Sequence, residues 1–219
     1  MTDSREFIFK KSPQGILQFV GDFDGYYRTE ADPWGQSGTE ESTEPYYRKS
    51  RERTLALLET TNTSELLIVG CGIGYTMTNY RGNKPTKIVG IDLSREAVKK
   101  AKKSFPEFSF YEADITKTET LAVAGNARFD TIIFEQILWY ILEDIRSAFQ
   151  NALGLLQPKG SIIVSNAFLR EQGYGKEIID GYAGAVKYFS DFPGLRLVQS
   201  QHYDDGLLHT DGHFLLGCE

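Results

Sequence analysis

The chain has 219 residues, 41% hydrophobic and 25% charged, with a net charge of −6 and two cysteines. A chain of this length buries about 70% of the surface its unfolded form exposes, enough for one core without disulfides or metal. The acidic balance, with no clustered basic footprint, counts against a nucleic-acid partner. Two thiols, Cys71 and Cys218, outside any CxxC motif, favour a reduced, cytoplasmic setting. No apolar stretch reaches about eighteen residues, and the polar N-terminus MTDSREFIFKK has no secretory core, so neither a membrane span nor export is expected.

Seven acids (Asp22, Asp24, Glu30, Asp32, Glu40, Glu41, Glu44) against Arg28, with Tyr26, Tyr27 and Trp34 among them, make residues 22–44 read as a long loop. Long aromatic loops are often lids or binding loops, though this one also reads as a solvated arm pinned by its aromatics. Pro45 suits the first turn of a helix running to Leu58. Strands are then expected at Leu66–Val69, Lys87–Ile91, Phe108–Tyr111, Phe129–Phe134 and Ser161–Val164, with closing strands at Leu195–His202 and Phe214–Gly217. Between them fall helices at 75–81, from Ser94 to about Phe105, at 116–124, 143–156 and 173–189. Apolar strands alternating with helices predict a doubly wound α/β fold, its seven strands mostly parallel and covered on both faces. One domain over residues 1–219 is expected: an arm or lid at 1–44, and an α/β core at 45–219.

The first strand of that core runs into Gly70-Cys71-Gly72-Ile73-Gly74. Glycines at a strand-to-helix turn let backbone approach a ligand closely. A dinucleotide fingerprint would need a small residue where Tyr75 stands, so the spacing suits an amino-acid tail plus ribose better than a pyrophosphate. Asp92 closes the second strand, where an acid can bridge ribose hydroxyls, with Ser94 available to cap the next helix. Asp114 ends the third strand and can accept from an adenine amino group or cap its own helix. Glu135 and Gln136 end the fourth.

In order, LLIVGCGIGY, IVGIDLS, YEADIT, FDTIIFEQILWYI and LLQPKGSIIV resemble the class I S-adenosylmethionine-dependent methyltransferases over about residues 45–219. The resemblance implies a Rossmann-like methyltransferase fold with S-adenosylmethionine as cofactor. It implies that Gly70, Cys71, Gly72 and Gly74 line the methionine and ribose, that Asp92 holds the ribose with Leu93 beside the adenine, and that Asp114 and Ile115 read the adenine. Glu135 and Gln136 would lie near the sulfonium. Ile68 stands where many members carry an acid, so either another group, for which the N-terminal arm is a candidate, replaces that contact or cofactor affinity is lower. ADPWG followed by PYYRKSRERTLALLE is similar to the entry segment of nodulation-type methyltransferases acting on chitooligosaccharides and of related sugar methyltransferases. It implies Trp34 and Tyr46 as cofactor-covering residues, although Ser50 replaces the usual basic residue.

Methyl transfer to a hydroxyl needs a general base, whereas an amine needs only placement. Glu135, at the rim, is the leading base candidate. His202, His209 and His213 are weaker candidates, and HTDGH is a weaker reading still as a metal site, because Asp211-Gly212 signals a turn. Tyr26, Tyr27 and Tyr140 are expected to wall the acceptor, with a core role open for Tyr140. The expected reaction is methyl transfer to a hydroxyl or amine of a small polar acceptor of sugar type. The alternatives are a protein or nucleic-acid substrate, or a cofactor-binding subunit without chemistry.

Overall fold

The computed structural model describes residues 4–37, 44–82, 85–125 and 127–218. Before the core, β1 (Phe9–Lys11) and β2 (Leu17–Phe19) form an antiparallel hairpin, and α1 (Phe23–Thr29) follows, capped by the Asp22 side chain on the Gly25 amide. The expected loop at 22–44 therefore holds a helix, while its residues 38–43 lie outside the described residues. Acids and glycine hid this short element, whose buried Phe23, Tyr26 and Tyr27 find a surface only in the folded chain.

α2 (Glu44–Glu59) leads into β3 (Glu65–Val69), α3 (Tyr75–Tyr80), β4 (Lys87–Asp92), α4 (Arg95–Ser104), β5 (Ser109–Glu112) and β6 (Phe129–Glu135). Ser94 caps α4 through the Ala97 amide, Glu96 sits in its first turn, and Lys102 and Lys103 sit in its last, each charge matching the helix dipole. The stretch 116–124 forms a 3-10 turn at Thr118–Ala124 rather than an α-helix. α5 (Ile145–Leu155) precedes β7 (Leu156–Leu169), and α6 occupies only Gly181–Ser190 of the helical stretch expected from Gly173. β8 (Leu195–Tyr203) and β9 (His209–Cys218) close the sheet.

Among the described residues the main sheet has seven strands in the order β5-β4-β3-β6-β7-β9-β8, parallel except for β9. Leu66, Leu67, Ile68, Ile132, Ile133 and Phe134 are each fully buried, because helices cover both faces of the central strands. One face packs Leu67, Phe134 and Phe149, while the other packs Ile68, Ile133, Leu57, Leu58 and Tyr80. The chain goes from β3 outward through β4 and β5, then returns to β6 on the other side of β3. That reversal opens a crevice at the carboxyl ends of these strands. No helix among the described residues is long and apolar enough to cross a membrane.

Candidate active site

The crevice is a cleft over the tips of β3, β4, β5 and β6. Its floor is the glycine turn. Gly70, Gly72 and Gly74 have φ of +72°, +53° and +93°, in the left-handed region that penalises side chains. The Gly70 and Cys71 amides donate to the Ile91 carbonyl at 2.8 and 3.0 Å, and the Gly72 amide donates to Asp92 Oδ2 at 2.8 Å. Asp92 Oδ1 accepts from the Ser94 amide at 2.8 Å. Burial pushes the Asp92 carboxyl up to about 6, against those two bonds. Each oxygen retains accepting capacity, so Asp92 both ties the glycine turn to β4 and lines the cleft.

Leu93, 44% exposed, and Ile115 offer apolar surface to the same cleft. Asp114 lines it too, but its Oδ1 accepts from the Thr116 amide and hydroxyl at 3.0 and 2.7 Å, and its Oδ2 lies 3.2 Å from Lys117 Nζ. Burial raises its pKa, yet the Thr116 and Lys117 contacts prevail and the carboxyl sits below its ordinary value.

The arm covers the cleft. Asp24 Oδ1 accepts from Ser94 Oγ at 2.6 Å and the Glu96 amide at 3.1 Å, and Lys100 Nζ donates to the Tyr27 and Glu30 carbonyls at 2.5 and 2.7 Å. These contacts dock α1 on α4. Trp34 Nε1 then donates to Tyr27 Oη at 3.0 Å, and that hydroxyl lies so close to Gly72 that a Cβ there would stand 2.9 Å from it. Phe23 meets the Tyr140 ring edge-on at 5.4 Å, and Trp34 tilts against it at 5.5 Å. Burial pushes the Tyr27, Tyr47 and Tyr140 hydroxyls up, Tyr47 to about 12, so these phenols stay protonated at neutral pH.

A glycine floor without side chains, a buried acid at the second strand tip and apolar side walls suit an adenosyl ligand by their chemistry. A methyltransferase-domain family profile matches residues 62–180, the segment that carries these features. The chain belongs to this methyltransferase family. The methyltransferase uses S-adenosylmethionine. It is 28% identical over 151 residues to nodulation protein S of Azorhizobium caulinodans, covering 65% of this chain and 68% of the relative. Its fold is similar to that of the N-methyltransferase NodS of Bradyrhizobium japonicum WM9 in complex with S-adenosylhomocysteine. There the TM-score is 0.67 and the identity 18%, over 86% of this chain and 93% of the other. It is also similar to magnesium protoporphyrin IX methyltransferase of Synechocystis PCC 6803 with bound S-adenosylmethionine, with TM-score 0.54 and 15% identity over 78% and 77% of the two chains.

Of the residues expected to bind or wall the ligands, the methyltransferase brings Gly70, Gly72, Asp92, Leu93, Asp114, Ile115, Glu135, Gln136, Trp34, Tyr27 and Tyr140 to the cleft wall. It does not bring Cys71, Gly74, Tyr26 or Tyr46 there. Cys71 is buried behind the turn against Gly90, and Gly74 begins α3 beneath Phe105 and Phe110. Tyr26 donates its hydroxyl to the Pro33 carbonyl at 2.8 Å inside the arm. Tyr46 points behind the cleft, its single O–H shared between Gln136 Oε1 and Asp211 Oδ1, each 3.2 Å away.

Glu135 is buried with both oxygens engaged: Oε2 accepts from Tyr80 Oη at 2.6 Å and Oε1 from Arg51 Nε at 3.3 Å. A phenol and a guanidinium hold this carboxylate in place with one accepting position left on each oxygen, which suits a standing donor better than the expected role of general base. Gln136, at φ +60°, has its Oε1 occupied by the Tyr46 hydroxyl and the Ala167 amide, and its Nε2 donates to Ser50 Oγ. None of the three histidines lines the cleft. His202 stacks on Tyr182 with ring centroids 4.3 Å apart, His209 lies edge-on to Tyr46, and His213 is fully buried, with Nε2 2.7 Å from Asp211 Oδ2. HTDGH lies within strand β9, so Asp211-Gly212 makes no turn, contrary to expectation: its residues pair with β7 and β8.

Phe23, Gln36, Tyr47, Ala113, Ile137 and Ile141 also line the cleft and were not read from the sequence. The run Tyr46-Tyr47-Arg48 could have pointed to Tyr47, since α2 presents its residues in turn to β9, the arm and the cleft.

Proposed function

We propose that the protein transfers the methyl group of S-adenosylmethionine to an amine on a small polar acceptor, with an aminosugar as the leading candidate. The observation that carries this reading is the state of the cleft's ionisable groups. Among its lining residues there is no histidine, Glu135 and Asp114 are committed to partners, and the tyrosines are protonated. Asp92 sits at the β4 tip, where it would hold the ribose hydroxyls, and Leu93, Asp114 and Ile115 would flank the adenine. A hydroxyl acceptor would need a base that this wall does not offer, whereas a neutral amine brings its own lone pair.

When bound, the cofactor supplies an electrophilic methyl on a sulfonium; the protein's part is alignment and exclusion of water. Phe23, Trp34, Tyr47 and Tyr140 give the cleft an aromatic wall suited to the apolar face of a sugar ring or to a cationic amine. The similarity to nodulation protein S and to the N-methyltransferase NodS supports a small-molecule amine over a polymer, as does the acidic net charge. The test is label transfer from methyl-labelled S-adenosylmethionine to a panel of aminosugars, their N-acetyl forms and the matching neutral sugars. Label on free amines alone is expected. Label on the neutral sugars would overturn the N-directed reading.

A further inference from the structure

The amino-acid end of S-adenosylmethionine is a zwitterion, and a buried cleft must answer both its charges. β3 offers nothing there, because Ile68 is fully buried against the core. The neighbouring strand does. Ile68 pairs with Ile133 in the β3–β6 ladder, and side chains two apart share a face, so Glu135 projects one step beyond Ile133 on the same side of the sheet. On that side it meets Tyr80 of α3 and Arg51 of α2. Arg51, with only 11% of its side chain exposed, also donates through Nη2 to Gln36 Oε1 at 3.2 Å. It lines a polar annex that shares Gln36 and Tyr47 with the main cleft.

We infer that Glu135 and Arg51 form the receptor for the zwitterionic tail, Glu135 accepting from the α-ammonium and Arg51 donating to the α-carboxylate. The inference rests on the proposed cofactor site. It assigns the contact missing at Ile68 to β6 and α2, not to the arm. Tyr80 acts as a positioning residue, its hydroxyl holding Glu135 Oε2 and so fixing the carboxylate beside Arg51. A carboxylate paired with a guanidinium at 3.3 Å through a single nitrogen retains accepting capacity, and the guanidinium retains unused N–H groups. Both ions are therefore available to a second, oppositely ordered pair of charges.

The test uses calorimetric binding of three ligands to the full chain and to Glu135→Gln and Arg51→Met. The ligands are S-adenosylhomocysteine, 5′-methylthioadenosine, which lacks the whole tail, and decarboxylated S-adenosylmethionine, which lacks only the carboxylate. Wild type is expected to prefer S-adenosylhomocysteine to methylthioadenosine. Glu135→Gln should cut the affinity for S-adenosylhomocysteine and for the decarboxylated ligand by about 10- to 100-fold, the span of a lost charged hydrogen bond. Arg51→Met should weaken S-adenosylhomocysteine alone. Unchanged methylthioadenosine binding in both variants would show that the cleft is still folded. If wild type binds S-adenosylhomocysteine and both variants keep its full preference over methylthioadenosine, the receptor assignment falls while the cofactor site stands. If wild type binds none of the three, both fall.

Discussion

Burial makes Asp92 a proton-linked group, and the link has a calculable size. Its carboxyl rises from an ordinary 3.8 to about 6 on folding. A shift of about two units corresponds to about 3 kcal/mol. The folded pKa lies above the unfolded one, so this stabilising contribution is complete below about pH 4. It is lost as pH rises to 6, where the folded chain gives up a proton the unfolded chain has already released. The difference in unfolding free energy between wild type and Asp92→Asn should therefore change by about 2.5 kcal/mol between pH 4 and pH 7, measured by urea denaturation of ligand-free protein. Ligand binding should run the opposite way. Ribose hydroxyls donating to the carboxylate, the role proposed for Asp92, favour its ionised form. Affinity for S-adenosylhomocysteine should then fall as pH drops below 6, by up to tenfold per unit, with proton release visible as a buffer-dependent calorimetric enthalpy. Asp92→Asn should bind more weakly and with little pH dependence. Wild-type affinity that stayed flat from pH 5 to pH 8, or an equal slope in the variant, would refute the reasoning.

The remaining predictions concern the arm and α2. Asp24→Ala removes both bonds from α1 to the start of α4; amide exchange over residues 23–37 should quicken and S-adenosylhomocysteine affinity fall several-fold, whereas unchanged exchange would mark the arm as passive. Tyr46→Phe removes a buried hydroxyl bonded to Gln136 and Asp211 behind the cleft. It should lower the urea midpoint by the equivalent of about 1 kcal/mol while leaving cofactor affinity within twofold; a large affinity loss would return Tyr46 to the cofactor's wall.

The glycine turn and the strand-tip acids are legible because their signals are local. A parallel strand buried on both faces must be a continuous apolar run, as Leu66–Val69 and Ile132–Phe134 are, and a turn with positive φ at Gly70, Gly72 and Gly74 favours glycine. Asp92 could be placed at a strand end because the strand before it and the Ser94 cap after it bracket the position. The hairpin was missed for the opposite reason. β1 and β2 have three residues each, too short for periodicity, and they are held by aromatic contacts such as Phe9 with Tyr174 and Phe19 with Tyr140.

The amino-acid order alone thus determined the α/β winding and the rim on which polar groups gather, since each follows from patterns within a few residues, and its motifs carried the resemblance that implied the cofactor. The tertiary structure decided what those polar groups are free to do. Glu135 acquires Tyr80 from 55 residues away and Arg51 from 84, and Tyr46 is drawn to Asp211 across 165. A buried carboxylate takes the donors that packing brings to it, and which helix supplies them depends on how α2 and α3 lie against the sheet, not on any neighbour in the chain.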